Sequence, residues 1–141
     1  MNSNFFYLIN SIKKHVHKNL KSGLKNHNIN PPHGLYLRVL LDYKEGLTLT
    51  ELTQMLDFDK ANTTRIINEL INLDYIKKEE NKLKKYKIVL TKEGLKKARI
   101  VKNEVCKIHN QAFKDFSKEE KQEFERLIIK FINNIKKEEG I

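Results

Sequence analysis

Lys60, Asn62, Thr63, Thr64 and Arg65 have side chains suited to reading the edges of base pairs. An arginine can donate two parallel hydrogen bonds to guanine O6 and N7. An asparagine can exchange a pair with adenine, and a threonine hydroxyl serves either base. Within a turn the chain becomes apolar, with Ile66, Ile67 and Leu70 spaced to share one helix face. A helix over residues 60–73 would therefore pack by its later turns and present its first turns, whose N-terminus favours a phosphate. A second stretch is basic: Lys77, Lys78, Lys82, Lys84, Lys85 and Lys87, offset by Glu79 and Glu80. Clustered lysines neutralise phosphates and displace counterions, and such binding weakens as salt rises. The plain alternative is a solvated strand pair whose lysines discourage edge pairing.

Other chemistry is missing from the sequence. It has no Gly-rich phosphate loop, no nucleophile elbow and no cluster of catalytic carboxylates, so no enzyme, catalytic residue or cofactor is expected. His15, His17, His27, His33 and His109 show no zinc-site spacing. His15 and His17, two apart on a helix, cannot share a face, and no metal is expected. Cys106 is the single cysteine, which rules out an intramolecular disulfide and fits a reducing compartment. It reads as a small packing residue in a helix.

The elements that must position these residues can be traced from hydrophobic periodicity and caps. Phe5, Leu8, Ile9, Ile12, Val16, Leu20 and Leu24 form one stripe, predicting a single long helix that stops before Pro31 and Pro32. Residues 33–43 are apolar nearly all round and predict a central helix ended at Glu45 and Gly46. Leu47 to Leu49 favours a short strand. Thr50 reads as the cap of a helix over 51–56, Asp57 and Phe58 as a turn, and Asp59 as the cap of the next helix. The period then changes to that of strands at residues 75–78 and 86–90, a hairpin enclosing the lysine-rich stretch. Thr91 caps a further helix with Ala98, Val101, Val105, Ile108 and Ala112 on one face. Ser117 and Glu120 form a capping box for the last helix, striped by Phe124, Leu127, Ile128, Phe131, Ile132 and Ile135.

Two short helices joined by a tight turn and followed by a β-hairpin make a winged helix-turn-helix. Its second helix fits the major groove, and its hairpin reaches phosphates or the adjacent minor groove. The fold class expected is mainly α, with long N- and C-terminal dimerisation helices and a small β wing. Its divisions are 1–30, an N-terminal dimerisation helix; 31–91, the DNA-binding lobe; and 92–141, the C-terminal dimerisation helices. The net charge of +10 and a pI near 9.6 suit a polyanionic partner. No run approaches the ~18 apolar residues of a membrane span. Residues 1–10 lack the features of a signal peptide. A soluble cytoplasmic protein is expected.

Several segments resemble the MarR family of regulators: Leu37-Arg38-Val39-Leu40, Leu47-Thr48-Leu49-Thr50-Glu51-Leu52, and Thr64-Arg65-Ile66-Ile67-Asn68-Glu69-Leu70. Leu90-Thr91-Lys92-Glu93-Gly94 resembles the exit from the family's wing, and Phe116-Ser117-Lys118-Glu119-Glu120 the start of its last helix. Their order and spacing extend over essentially the whole chain. The resemblance implies a homodimer with interlocking first and last helices, and a crevice for small anionic aromatic effectors. His15, Tyr36 and Arg38 are candidates for that crevice, although Tyr36 reads better as core or interface and Arg38 as a surface ion-pair partner. The sequence departs from the family at Lys82 and Lys84, which stand where family wings carry Asp-x-Arg, and at Asp74, where a glycine is usual.

The expected function is sequence-specific DNA binding as a homodimer on a pseudo-palindromic site, as a repressor, with release by a small-molecule ligand. Asn62, Thr64 and Arg65 would contact bases. Lys60, Lys77, Lys78, Lys82, Lys84 and Lys85 would contact phosphates. The alternatives are nonspecific DNA or RNA binding by a basic protein, or a winged helix used for protein interaction. The latter would call for an apolar or acidic face where Lys60 to Arg65 stand.

Overall fold

The computed structural model describes residues 4–56, 59–80 and 86–139. Among them are six α-helices and one two-stranded antiparallel sheet. The chain divides into two compact units, Met1–Ile108 and His109–Ile141.

The first unit begins with α1 (Phe5–Leu24), whose N-cap Asn4 accepts the Tyr7 N–H. The predicted single helix up to the prolines is shorter than expected. It passes into a 3-10 turn, Lys25–His27, and then Asn28 adopts a left-handed conformation. Asparagine tolerates that region because its short polar side chain bonds locally. Tyr75 and Lys97 hold this turn: the Tyr75 hydroxyl donates to the Asn28 carbonyl at 3.3 Å and Lys97 Nζ to the His27 carbonyl at 2.7 Å.

The prolines start α2 (Pro31–Leu41) rather than precede it. Proline is favoured in a first helical turn, where its missing N–H would have had no partner. Asn30 caps the helix, accepting the His33 N–H at 2.8 Å. Gly46, at φ 89°, turns the chain where a Cβ would press on the Ile88 carbonyl and the Val89 side chain. The expected strand at 47–49 reduces to one bridge, Leu47 to Ile88.

Helix α3 (Leu49–Leu56) starts earlier than predicted, because Thr48 and not Thr50 is its cap. The Thr48 N–H donates to Glu51 Oε1, and the Glu51 N–H to Thr48 Oγ1, both at 3.1 Å. This reciprocal pair is a capping box. After it comes α4 (Lys60–Asn72), capped by Asp59 as predicted. The predicted turn at Asp57 and Phe58 lies outside the described residues.

Strands β1 (Ile76–Glu80) and β2 (Tyr86–Leu90) pair in register Ile76 to Leu90 through Glu80 to Tyr86. Asp74, with φ 62°, makes the left-handed turn into β1. Thr91 begins α5 (Lys92–Ala112), accepting the Gly94 N–H at 3.0 Å and donating to the Asp74 carbonyl at 2.6 Å. Leu24, Leu37, Leu40, Leu52, Ile67, Leu70, Ile76 and Val101 meet in one core drawn from α1, α2, α3, α4, β1 and α5. That core fixes α4 and the base of the hairpin to a common support.

In the second unit the end of α5 turns into α6 (Lys118–Glu139), opened by the predicted Ser117–Glu120 capping box. Phe113, Phe116 and Phe124 pack edge-to-face with centroids 5.0–5.8 Å apart. The predicted stripe along α6 lies exposed, as do Phe6, Leu8, Ile12 and Val16 along α1.

Candidate nucleic-acid interface

Helix α4 is fixed by its inner face. Thr63, Ile66, Ile67 and Leu70 follow the i, i+3, i+4, i+7 spacing and are all buried. Thr63 therefore does not face a ligand, contrary to expectation. It is fully buried, with Oγ1 3.1 Å from the Tyr36 hydroxyl. A buried tyrosine hydroxyl needs a partner, and Thr63 supplies it. The outer face carries Ala61, Arg65, Asn68 and Asn72, with Lys60 exposed at the first turn and Asn62 and Thr64 half-buried on its flanks.

The start of α4 differs from the open anion site expected of a helix N-terminus. Asp59 Oδ1 accepts the N–H of Ala61 at 3.0 Å and of Asn62 at 3.3 Å. A carboxylate already occupies the positive end of the helix, so a phosphate there would face it. Cations must come from side chains, Lys60 first.

Arg65 makes contacts on two sides although its side chain is 62% exposed. Its Nη1 reaches Glu69 Oε1 at 2.6 Å and Oε2 at 3.3 Å, and its Nη2 reaches Asn62 Oδ1 at 2.6 Å. Glu69 Oε2 lies 3.5 Å from His33 Nε2 on α2. Thr64 Oγ1 donates back to the Lys60 carbonyl at 2.8 Å, leaving its lone pairs as acceptors.

On the hairpin, Lys77 and Lys78 are exposed, and Lys77 lies 3.6 Å from Glu79. So exposed a pair contributes little and leaves the lysine able to exchange partners. Lys82, Lys84 and Lys85 lie outside the described residues. Lys87 comes close enough to α3 to help hold the Glu51 carboxyl below the usual carboxylate range, after the two Thr48 hydrogen bonds.

Two surface residues went unnoticed in the sequence, Ala61 and Asn68. Both share the Arg65 face by 3.6-residue spacing, the signal that would have found them. The contact of Glu69 with Arg65 was not anticipated, because Glu69 looks like an ordinary surface acid. Of the crevice candidates, Tyr36 is core, Arg38 Nη1 pairs with Asp42 at 3.0 Å, and His15 is exposed on α1. Cys106 is exposed rather than packed. It borders an open depression with His27, Ile100, Asn103, Glu104 and Lys107. Among the described residues no three His, Cys, Asp or Glu side chains gather as metal ligands, and no helix is long and apolar enough to cross a membrane.

Comparison with known proteins agrees with this geometry. Residues 27–85 match the model of the MarR family. A MarR protein from Peptoclostridium difficile is 26% identical, covering 98% of this chain and 91% of its own, with TM-score 0.86. A MarR-family regulator from Listeria monocytogenes, solved with a 26mer DNA, is 21% identical with TM-score 0.87, covering 94% of this chain and 89% of its own. The S. aureus MepR–DNA complex is 19% identical with TM-score 0.86, covering 94% and 99%. No curated protein matched the chain.

Proposed function

We propose that the chain is a transcriptional regulator of the MarR type, which binds a specific pseudo-palindromic DNA site as a homodimer and represses transcription there; the match of residues 27–85 to the family model supports this reading. The observation that carries this reading is α4. Its inner face is locked into the core, while Lys60 and Arg65 are exposed and Asn62 and Thr64 lie half-buried on the flanks of the outer face. The two similar proteins solved with DNA support the same use. The family is one of DNA-binding regulators rather than enzymes, and no catalytic step is assigned to the chain.

In this reading α4 enters the major groove. Asn62, Thr64 and Arg65 contact base edges, while Lys60, Lys77, Lys78, Lys82, Lys84 and Lys85 contact phosphates. Residues 31–91 form the DNA-binding lobe. Residues 1–30 and 92–141 supply the dimer contacts, and the exposed apolar stripes of α1 and α6 support that assignment. Exposed apolar stripes on a helix mark an interaction surface. Two-fold symmetry would set the α4 helices about one DNA turn apart. The regulator works in the cytoplasm, and a small-molecule effector releases it from DNA.

The test is fluorescence anisotropy with DNA from upstream of the protein's own gene against a scrambled duplex, from low to physiological salt. A preference of at least ~10³-fold that persists in salt is expected of a specific regulator. Equal binding that collapses as salt rises favours the second reading, a basic protein with general affinity for polyanions, for which the +10 net charge is the supporting observation.

A further inference from the structure

We propose that Glu69 decides which bases α4 reads, by holding Arg65 against Asn62. The inference rests on the reading that α4 enters the major groove. Arginine offers only donors, so the carboxamide edge of Asn62 that faces it must be the oxygen. Asn62 Oδ1 accepts from Arg65 Nη2 at 2.6 Å. The two-pronged contact of asparagine with adenine requires that same oxygen to accept from the adenine amino group. While Arg65 stays in place, one lone pair of that oxygen is taken and Asn62 is held to the guanidinium, so its pairing with adenine is disfavoured.

Arg65 has the opposite capacity. Its contacts with Glu69 and Asn62 use at most three of the guanidinium's five N–H donors. Guanine presents two acceptors, O6 and N7, and no donor of its own in the major groove. The joined residues therefore favour guanine over adenine. Held by Glu69 on one side and Asn62 on the other, the guanidinium has less side-chain freedom to lose on meeting its base.

Glu69 also lies near α2. Oε2 lies 3.5 Å from Nε2 of His33, whose side chain is only 10% exposed. A protonated His33 would therefore draw the carboxylate toward α2. Asn62, Arg65 and Glu69 fall at i, i+3 and i+7, one side of α4. Glu69 acts through Arg65 and is a positioning residue. Its neighbours touch the base.

The experiment is selection from a pool of synthetic duplexes randomised over about two helical turns, using the full chain as wild type, Glu69→Leu and Asn62→Ala. Wild type is expected to fix one guanine in each half-site. Both variants should relax that same guanine, by ~10-fold or more in Glu69→Leu (about 1.4 kcal/mol), while other positions keep their preference. A loss of stability alone would lower binding to all sequences equally and leave the base order unchanged. The proposal is overturned if Glu69→Leu selects the wild-type site with wild-type discrimination, or if Asn62→Ala relaxes an adenine instead. Should Glu69→Leu fail to fold, the Asn62→Ala comparison decides. If wild type enriches no sequence at all, the sequence-specific reading falls, and this inference with it.

Discussion

Thr63 and Thr64 are adjacent and alike, yet the helix turns one into the core and leaves the other at the surface. Thr63 bonds Tyr36 in a dry environment. Replacing it by valine keeps the shape and orphans the tyrosine hydroxyl, so Thr63→Val should cost about 1–3 kcal/mol in denaturant unfolding. DNA binding per folded molecule should be unaffected. Arg65 predicts the mirror image. Arg65→Ala should leave unfolding within ~0.5 kcal/mol of wild type and cost about 1–3 kcal/mol at the cognate site while blurring its specificity. Paired unfolding and anisotropy measurements on the two variants separate support from recognition. The inward turn of Thr63 was legible in the sequence, since it precedes Ile66, Ile67 and Leu70 at helical spacing. Weighing residue type ahead of face placed it among the DNA contacts. Gly94 is different. Sequence resemblance marked its position, but only the fold shows that a Cβ there would overlap the Tyr75 carbonyl. Gly94→Ala should therefore destabilise the chain by about 1–3 kcal/mol or more, read as a fall in unfolding midpoint.

Element boundaries depend on which of several plausible caps wins, and α3 shows why the sequence left this open. Thr48 and Thr50 are both good caps, but only Thr48 has a glutamate three residues on. The reciprocal bonds with Glu51 hold its carboxyl below the usual range, the Thr48 backbone N–H being the largest cause and the Thr48 hydroxyl the next. Because the folded pKa is depressed, the box contributes above the ordinary carboxylate pKa and is lost as pH falls through the folded value. Following the Glu51 carboxyl by NMR during acid titration should show a midpoint below that of the ordinary side chain. Thr48→Ala should move it partway back up, since the backbone bond remains. An unchanged midpoint in Thr48→Ala would mean that the hydroxyl contributes nothing. The prolines teach a related point. Read as a stop for the helix before them, they are the first turn of the helix after them, and Asn30 is the residue that signals it. Caps and periodicity made the element order readable, including Asp59 and Ser117. The left-handed residues Asn28 and Asp74 were less so, because tertiary contacts with Tyr75 and Thr91 hold the turns in which they lie.

At the scale of the molecule, two helices have apolar faces that the chain itself does not cover. On α1 these are Leu8, Ile9, Ile12 and Val16; on α6, Leu127, Ile128, Ile132 and Ile135. Among the described residues α6 buries no side chain, yet its stripe keeps strict helical spacing, which a merely solvated helix has no reason to do. The same pattern in the sequence fits packing within one chain equally well, and only the exposure separates the two cases. A second copy of the chain is the occupant the proposed function requires, and it ties oligomeric state to DNA binding. Joined lobes meet a two-fold site with the second contact made intramolecular, so avidity exceeds one lobe's affinity by ~10²–10⁴. A charge in the middle of the stripe should break that link without touching α4. Ile128→Glu is expected to sediment as a monomer where wild type sediments as a dimer. It should bind a half-site duplex as well as wild type does, yet lose ~10²-fold or more on the full site. A monomeric variant that kept wild-type affinity for the full site would mean that each lobe reads its half alone, and the symmetry of the site would then need another cause.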